Sequence, residues 1–334
     1  MTSQAVKDLV AELNKTLGAD VVTVASDPDF ALRLLPTGVL PIDHILGGGL
    51  PRGRWVEVFG NYSTLKSYLA YRAIATTQAG GGTAALVDTE HSWDAEWGAK
   101  LGVDPDQLIL LQPETAEEAV DATELLVRLK VDLIVWDSIA AMNPQTEANK
   151  RESGENHSPA RLAALMSRAL RKVTSANRST AVLAINQTRI NVGQTFGNPE
   201  TTPGGKSMGF YASHRLALRQ AGKVTEETVV HDGKKLIPVK RTVAFRVKAT
   251  LEKSKLTAPF TESWFQFDLR SGQVDEEQWL VAQGIEMGEI KQGKGSWVEI
   301  AGPFPKKCNG MGRAADYVRS SPETRDWLLK EVLG

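Results

Sequence analysis

Cysteine is nearly missing from this 334-residue chain. Cys308 stands alone, so no intrachain disulfide can form, a usage that fits a reducing compartment. No apolar run approaches the roughly 20 residues of a membrane-spanning helix, and no membrane partner is expected. The N-terminus, Met1 to Lys15, lacks the basic start and apolar stretch of a secretory leader, so a cytoplasmic setting is expected. A large net charge is absent too: 39 Lys+Arg against 40 Asp+Glu leave −1, which argues against a generally basic nucleic-acid binder. Histidine numbers five. His91, His157 and His214 share no metal-ligand spacing with Cys308 or with one another, which speaks against a zinc site. No nucleophile elbow of the G-x-S-x-G type occurs, and no internal repeat or low-complexity tract. What is present is an ordinary globular balance, 42% hydrophobic and 24% charged, enough for a sizeable core and roughly two domains.

The overall neutrality hides a segregation. Ala85 to Glu147 carries 14 acidic and 3 basic side chains, whereas Lys150 to Arg219 carries 11 basic and 3 acidic. Such segregation implies a local electropositive surface, although solvated helix faces would also account for it.

Val6, Leu9, Val10, Leu13 and Leu17 fall at helical spacing and form one apolar stripe, stopped by Gly18. A helix so marked must bury its stripe, either by folding back or by docking on another subunit. From about residue 50 short apolar strands alternate with helices. Strands are expected at Trp55–Phe59, Ala84–Asp88, Leu108–Leu111, Leu133–Trp136 and Thr180–Ile185, with helices from near Lys66, over Thr115–Leu129 and over Pro159–Thr174. Thr115 with Glu118 reads as a capping box. Fully apolar strands between helices mean an α/β fold with a mostly parallel sheet covered on both faces, in which ligands bind at the carboxyl ends of strands. Longer strands are expected near Ile237–Thr250 and Ser263–Phe267. A composition change after Phe267 points to a small mixed C-terminal domain, its last helix announced by Ser321-Pro322. The expected domains are therefore 1–35, 36–267 and 268–334.

After the first core strand comes Gly60-Asn61-Tyr62-Ser63-Thr64-Leu65-Lys66-Ser67. It follows the phosphate-loop pattern G-x-x-x-x-G-K-[ST] between strand and helix, except that Leu65 stands at the second glycine. Backbone N–H groups and the helix dipole would cradle phosphates, Lys66 would reach the β/γ-phosphates, and Ser67 would hold Mg²⁺. If the position demands positive φ, leucine there costs roughly 1–3 kcal/mol, a loss that would weaken a micromolar ATP site without abolishing it. An ordinary strand–turn–helix corner would look similar. Leu133 to Asp137 is an apolar strand ending in an acid, a Walker-B arrangement that with Ser67 organises Mg²⁺ partly through water. Glu90, just past the Ala84–Asp88 strand, can position an attacking water or cap a helix.

From about Pro36 to Thr324 the chain resembles the bacterial RecA recombinases. The shared runs are Leu50-Pro51-Arg52-Gly53-Arg54, the loop around Lys66, Asp88 to His91, Lys100-Leu101-Gly102-Val103-Asp104, Trp136-Asp137-Ser138-Ile139-Ala140-Ala141, Asn186-Gln187-Thr188-Arg189, Phe196-Gly197-Asn198-Pro199-Glu200-Thr201-Thr202, Gly204-Gly205 and Phe210-Tyr211-Ala212-Ser213. The resemblance implies a RecA-like P-loop NTPase core with an N-terminal helix for subunit docking. It makes Lys66 and Ser67 the nucleotide lysine and magnesium hydroxyl, Glu90 the water-activating acid, and Asp137 the Walker-B acid. Asp94 and Trp97 fall where the family contacts adenine. Gln187 matches the γ-phosphate sensor that relays to DNA. Lys253 and Lys255 match lysines that reach a neighbour's ATP; taken alone, Lys-Ser-Lys reads as solvated surface.

Two DNA loops are implied, near 143–159 and 188–205, both in or beside the basic stretch. Arg161, Arg168, Arg171, Lys172, Arg189 and Lys206 supply charge for a phosphate backbone. Phe196, Gly197, Asn198, Gly204 and Gly205 belong to the second loop, where the glycines also suit plain turns. The resemblance implies a DNA-dependent ATPase, with ATP and Mg²⁺ as cofactors, that filaments on single-stranded DNA and pairs it with homologous duplex in a bacterium or, for a phage-encoded protein, its host. The rivals are a non-hydrolysing DNA-binding filament, motivated by Leu65, and a RecA-like helicase or regulator. The acidic tail of bacterial members has no counterpart after Leu328-Leu329-Lys330-Glu331, so regulation through one is not expected.

Overall fold

The computed structural model describes residues 3–18, 21–28, 31–145, 159–190, 200–231 and 236–333. The chain forms two compact units, Met1–Leu34 and Leu35–Gly334.

The first unit is helix α1 (Ser3–Leu17) with the segment that follows it. The apolar stripe is real, and Val6, Leu9, Leu13 and Leu17 are all exposed. Asn14 ties down the return: its amide donates to Val22 O at 2.7 Å and its oxygen accepts from Val22 N at 2.8 Å.

The second unit is built on a sheet of nine strands among the described residues. In chain order these are β1 (Trp55–Gly60), β2 (Ala84–Asp88), β3 (Leu108–Leu111), β4 (Leu133–Asp137), β5 (Ala181–Gln187), β6 (His214–His231), β7 (Leu236–Ser254), β8 (Glu262–Asp268) and β9 (Gln273–Val274). Their spatial order is β9-β8-β7-β6-β1-β5-β4-β2-β3. The run from β6 to β3 is parallel throughout, and β6 to β9 is antiparallel. Strands β2 and β4 are buried along their whole length, as expected for a sheet covered on both faces.

One face is covered by α2 (Leu40–Leu46) and α3 (Lys66–Ala79), whose Ile42, Leu46, Leu69 and Ile74 pack on Val56, Val58, Leu133 and Leu183. The other carries α5 (Ala116–Arg128), α6 (Pro159–Ala176) and α7 (Ser207–Tyr211), with Trp136, Met166, Leu170 and Met208 buried there. The short α4 (Ala95–Lys100) follows β2. The Thr115–Glu118 capping box is present at the start of α5.

Strands β6 and β7 outrun the sheet. Within this hairpin β1 pairs only with 214–218 and β8 only with 244–250, so among the described residues the rest of it is a two-stranded ribbon. The small C-terminal α+β part holds α8 (Glu276–Met287), a three-stranded antiparallel sheet β10 (Ile290–Gln292), β11 (Trp297–Ile300) and β12 (Lys306–Asn309), then α9 (Met311–Ser320) and α10 (Pro322–Leu333). Its cluster of Val281, Ile290, Val298, Cys308, Val318 and Leu328 is its own, while Trp279, Leu280 and Val332 belong to the main core. Cys308 is buried, and desolvation raises its thiol pKa.

Candidate nucleotide site

Strands β1, β2, β4 and β5 deliver their last residues to one edge. Gly60 lies level with Gln187 and Asp88 with Asp137, so the phosphate loop, both acids and the glutamine share the carboxyl end of the parallel sheet, where such folds bind ligands. Thr188 N donates to Gly60 O at 3.3 Å, closing that seam.

The loop itself is tightly specified. A Cβ on Gly60 would lie 2.2 Å from Leu218 O, so no other residue fits. Thr64 Oγ1 donates to Asn61 O at 2.9 Å, folding the loop over. Asn61, Tyr62 and Ser63 face solvent. Leu65 caps α3 with φ 71° and ψ 20°, a left-handed conformation that disfavours leucine. Its half-buried side chain packs into the core beside Val39, Ile42, Leu69 and Leu218, away from the loop's open side. The position does demand positive φ, and the strain of placing leucine there is carried by the folded loop. No side chain caps α3, so its first N–H groups remain for an anion. A helix N-terminus with free N–H groups beside a lysine suits an anion such as a phosphate.

Lys66 lies over the loop, its Nζ donating to Gly60 O at 3.1 Å and Asn61 O at 2.7 Å. Burial lowers its pKa, opposed by the nearby carboxylates of Asp137 and Glu90. Ser67 Oγ donates to Asp137 Oδ2 at 2.9 Å, which puts hydroxyl and carboxylate together as a hard-cation pair. Burial pushes Asp137 up to about 6; the Ser67 hydrogen bond opposes the shift, and Glu90 and Asp88 add to it. A carboxyl raised by burial among like charges suits a site completed by a cation. Glu90 is exposed beyond Asp88 and accepts a hydrogen bond from Ser138 Oγ at 2.6 Å. Thr89 locks that corner through Ser138 O at 2.7 Å. Asp88 is spent on the turn, accepting from Ser92 N, Trp93 N and Gln112 Nε2.

The remaining candidates divide. Asp94 caps α4 by accepting from Trp97 N at 2.9 Å, and Trp97 is exposed beside it. Lys253 is half-buried and Lys255 exposed, and both ammonium groups bond main-chain carbonyls. Lys253 Nζ donates to Gly209 O, Phe210 O and Ala212 O at 2.5, 3.2 and 2.8 Å, and Lys255 Nζ to Phe210 O at 2.8 Å. Burial lowers the Lys253 pKa, helped by Lys255 and Arg215.

Along α6, Arg161, Arg168 and Arg171 are exposed, whereas Lys172 is paired with Asp121 at 2.9 Å and Glu124 at 2.6 Å. Two more cations of the basic stretch are committed inside the chain, Arg215 to Glu57 and Arg219 to Glu200 and Glu252. Only part of that stretch is free for a polyanion. Arg189 and Lys206 are exposed. Gly204 and Gly205 have φ +87° and +73°, and a Cβ on Gly205 would meet Ala163 Cβ at 2.7 Å. They form a turn that seats the end of the second loop on α6. Phe196, Gly197 and Asn198, and residues 146–158 of the first loop, lie outside the described residues.

Among the described residues no helix is long and apolar enough to cross a membrane, and no group of three or more His, Cys, Asp or Glu is placed to hold a metal ion. Sequence reasoning missed Ser138, whose hydroxyl holds Glu90; its place in the shared run after Asp137 was the available signal.

Comparison with known proteins agrees with this geometry. A family model described as the RecA N-terminal domain matches residues 4–273. Protein RecA 1 of Myxococcus xanthus is 39% identical over 337 residues, covering 99% of this chain and 93% of the relative. The RecA proteins of Thermus aquaticus and Nocardia farcinica are 39% and 38% identical, covering 98% of this chain and 92% and 91% of theirs. With the phosphate loop, the acid-tipped strand and the glutamine at one sheet edge, and with this likeness along nearly the whole length, the chain belongs to the RecA family.

Proposed function

We propose that the protein is an ATP-dependent DNA recombinase that forms a filament on single-stranded DNA and promotes pairing and exchange with homologous duplex. The observation that carries this reading is the convergence of Lys66, Ser67, Asp137, Glu90 and Gln187 on one sheet edge, with the roots of the second DNA loop beginning directly after Gln187.

The first N–H groups of α3 and the Lys66 ammonium bind the triphosphate, and Trp97 offers a ring for the base. Ser67 and Asp137 would hold Mg²⁺, which when bound neutralises phosphate charge. Glu90, oriented by the Ser138 hydroxyl, takes the proton of the attacking water. Gln187 lies beside the phosphate loop and joins it to the second DNA loop. The exposed arginines of α6 and Arg189 hold the phosphate backbone. The apolar stripe of α1 docks on another copy of the chain, an open head-to-tail contact that generates a filament.

DNA-stimulated phosphate release tests the enzyme. Glu90→Gln should lower the rate by about 10²-fold or more, with nucleotide binding kept. Release no higher than background, unchanged in Glu90→Gln, would leave the non-hydrolysing filament as the reading.

A further inference from the structure

Glu57 is a fully buried carboxylate in the middle of β1, three residues before the phosphate loop. A charge so placed is tolerated only when paired and hydrogen-bonded. Arg215 Nε donates to Glu57 Oε2 at 2.5 Å, with the guanidinium stacked 4.7 Å from the Phe59 ring centroid. Asn186 Nδ2 donates to Glu57 Oε1 at 2.9 Å.

The rest of the Asn186 carboxamide is also occupied. Nδ2 donates to Pro203 O at 3.0 Å, and Oδ1 accepts from Gln187 N at 3.0 Å. One side chain therefore grips the main chain where the second DNA loop leaves the sheet, at Gln187, and where it returns, at Pro203. Arg215 reaches the same returning segment through Thr202 Oγ1 at 3.4 Å. Just beyond, the two roots pair with each other, Arg189 with Thr201 and Ile190 with Glu200. Glu200 is held in turn by Arg219, which also bonds Glu252.

We infer that Glu57, Asn186 and Arg215 form a buried positioning relay that fixes both roots of the second DNA loop to the strand leading into the phosphate loop, so that a change at Gln187 moves the two roots together. The inference rests on the function proposed above. Apolar side chains would fill this space at lower electrostatic cost. Polar ones bring directional bonds, and here they run from Glu57 of β1 through Asn186 and Arg215 to the two loop roots. Any rotation of the Gln187 peptide pulls on the Asn186 oxygen and, through the same amide, on Pro203 and Glu57.

The test uses the full-length protein and two variants, Asn186→Asp, which places a second carboxylate against Glu57, and Asn186→Ser, which removes the donor without adding charge and serves if the first fails to fold. The affinity for a fluorescein-labelled oligothymidylate is measured with ADP and with a non-hydrolysable ATP analogue. Analogue affinity and DNA-free hydrolysis are measured alongside. The unmodified protein should bind DNA at least about tenfold more tightly with the analogue than with ADP. In the variants that ratio should fall to within about threefold of unity, with analogue affinity and DNA-free hydrolysis retained. A variant that folds and keeps the parent ratio overturns the relay, as does one whose DNA affinity falls equally in both nucleotide states, the signature of a purely structural role. An unmodified protein whose DNA affinity ignores the nucleotide overturns the proposed function instead, and the relay with it.

Discussion

Leu65 shows how a residue can break a motif and keep its geometry. The phosphate loop needs a left-handed residue at this position, and leucine adopts φ 71° because its isobutyl group is anchored among Val39, Ile42 and Leu69. Two substitutions separate the terms. Leu65→Ala loses the packing and keeps the strain, and should destabilise by about 1–3 kcal/mol. Leu65→Gly loses the same packing but relieves the strain, so it should be more stable than the alanine variant by about 1 kcal/mol. That reverses the usual preference for alanine over glycine. Urea unfolding of both variants gives the difference, and an alanine variant at least as stable as the glycine one contradicts the strain account.

His214 makes a pH argument at the same scale. It is fully buried, neither ring nitrogen has a hydrogen-bond partner among the described residues, and burial near Arg54 lowers its pKa to about 4. The unfolded chain binds this proton near pH 6.5 and the folded chain only near pH 4. Its contribution to stability is therefore complete above about 6.5 and is lost as pH falls toward 4. His214→Gln should gain on the parent steadily through that window in parallel unfolding titrations. A stability difference independent of pH would show that the folded protein protonates this ring as easily as the unfolded chain does. Sequence alone marked His214 only as a poor metal ligand, because its burial depends on strands far apart in the chain.

Among the elements, α6 sorts its cations by neighbour. Arg168 and Arg171 are exposed, while Lys172 is held by Asp121 and Glu124 of α5. In single-strand binding, Arg171→Ala should reduce the log–log salt slope by about 0.7. Lys172→Ala should change it less, since that charge is already balanced. Equal slopes for the two variants would remove the distinction. The β6–β7 ribbon supports a second expectation. Among the described residues its outer part is mostly exposed and pairs only with itself, apart from a surface ion pair between Glu226 and Arg270. Excising 225–242 and closing the cut with Asn-Gly should cost no more than about 1 kcal/mol, read as a small shift in unfolding midpoint. A large loss would mean the ribbon stabilises the sheet at a distance.

The same elements show what the sequence makes legible. The Ala84–Asp88 and Leu133–Asp137 strands are continuous apolar runs because both faces are covered, and their boundaries could be read directly. Strand β6 could not. Beyond Leu218 it is mostly polar, with Val224, Val229 and Val230 at no regular spacing, and carries no strict alternation to detect. Helix α2 hides between Pro36 and three successive glycines, which read as loop. The phosphate loop and Asp137 are local patterns and stood out, whereas the grip of Asn186 on Glu57 joins residues 129 positions apart and has no local trace. For Lys253 and Lys255, only family resemblance separated function from solvated surface.

At the scale of the whole molecule the exposed stripe of α1 is the clearest unsatisfied feature. Replacing Leu9 and Leu13 together by lysine should abolish large assemblies in sedimentation velocity on DNA with ATP analogue, while nucleotide affinity per chain is retained. Assembly at parent levels would assign the stripe another role. The switch of strand sense at β6 has a consequence of its own. Strand β7 runs back, so Ser254 lies level with Val56, four residues below Gly60, at about 13 Å along the strands from the phosphate loop and two strands across. Lys253 and Lys255 thus end at the rim opposite their own chain's phosphate loop. If they serve a γ-phosphate, it is one held by another molecule, and each solitary chain is half a catalyst. Turnover should then climb more steeply than the first power of protein concentration when the enzyme is dilute, with a linear plot from the lowest concentrations placing the whole reaction within one chain.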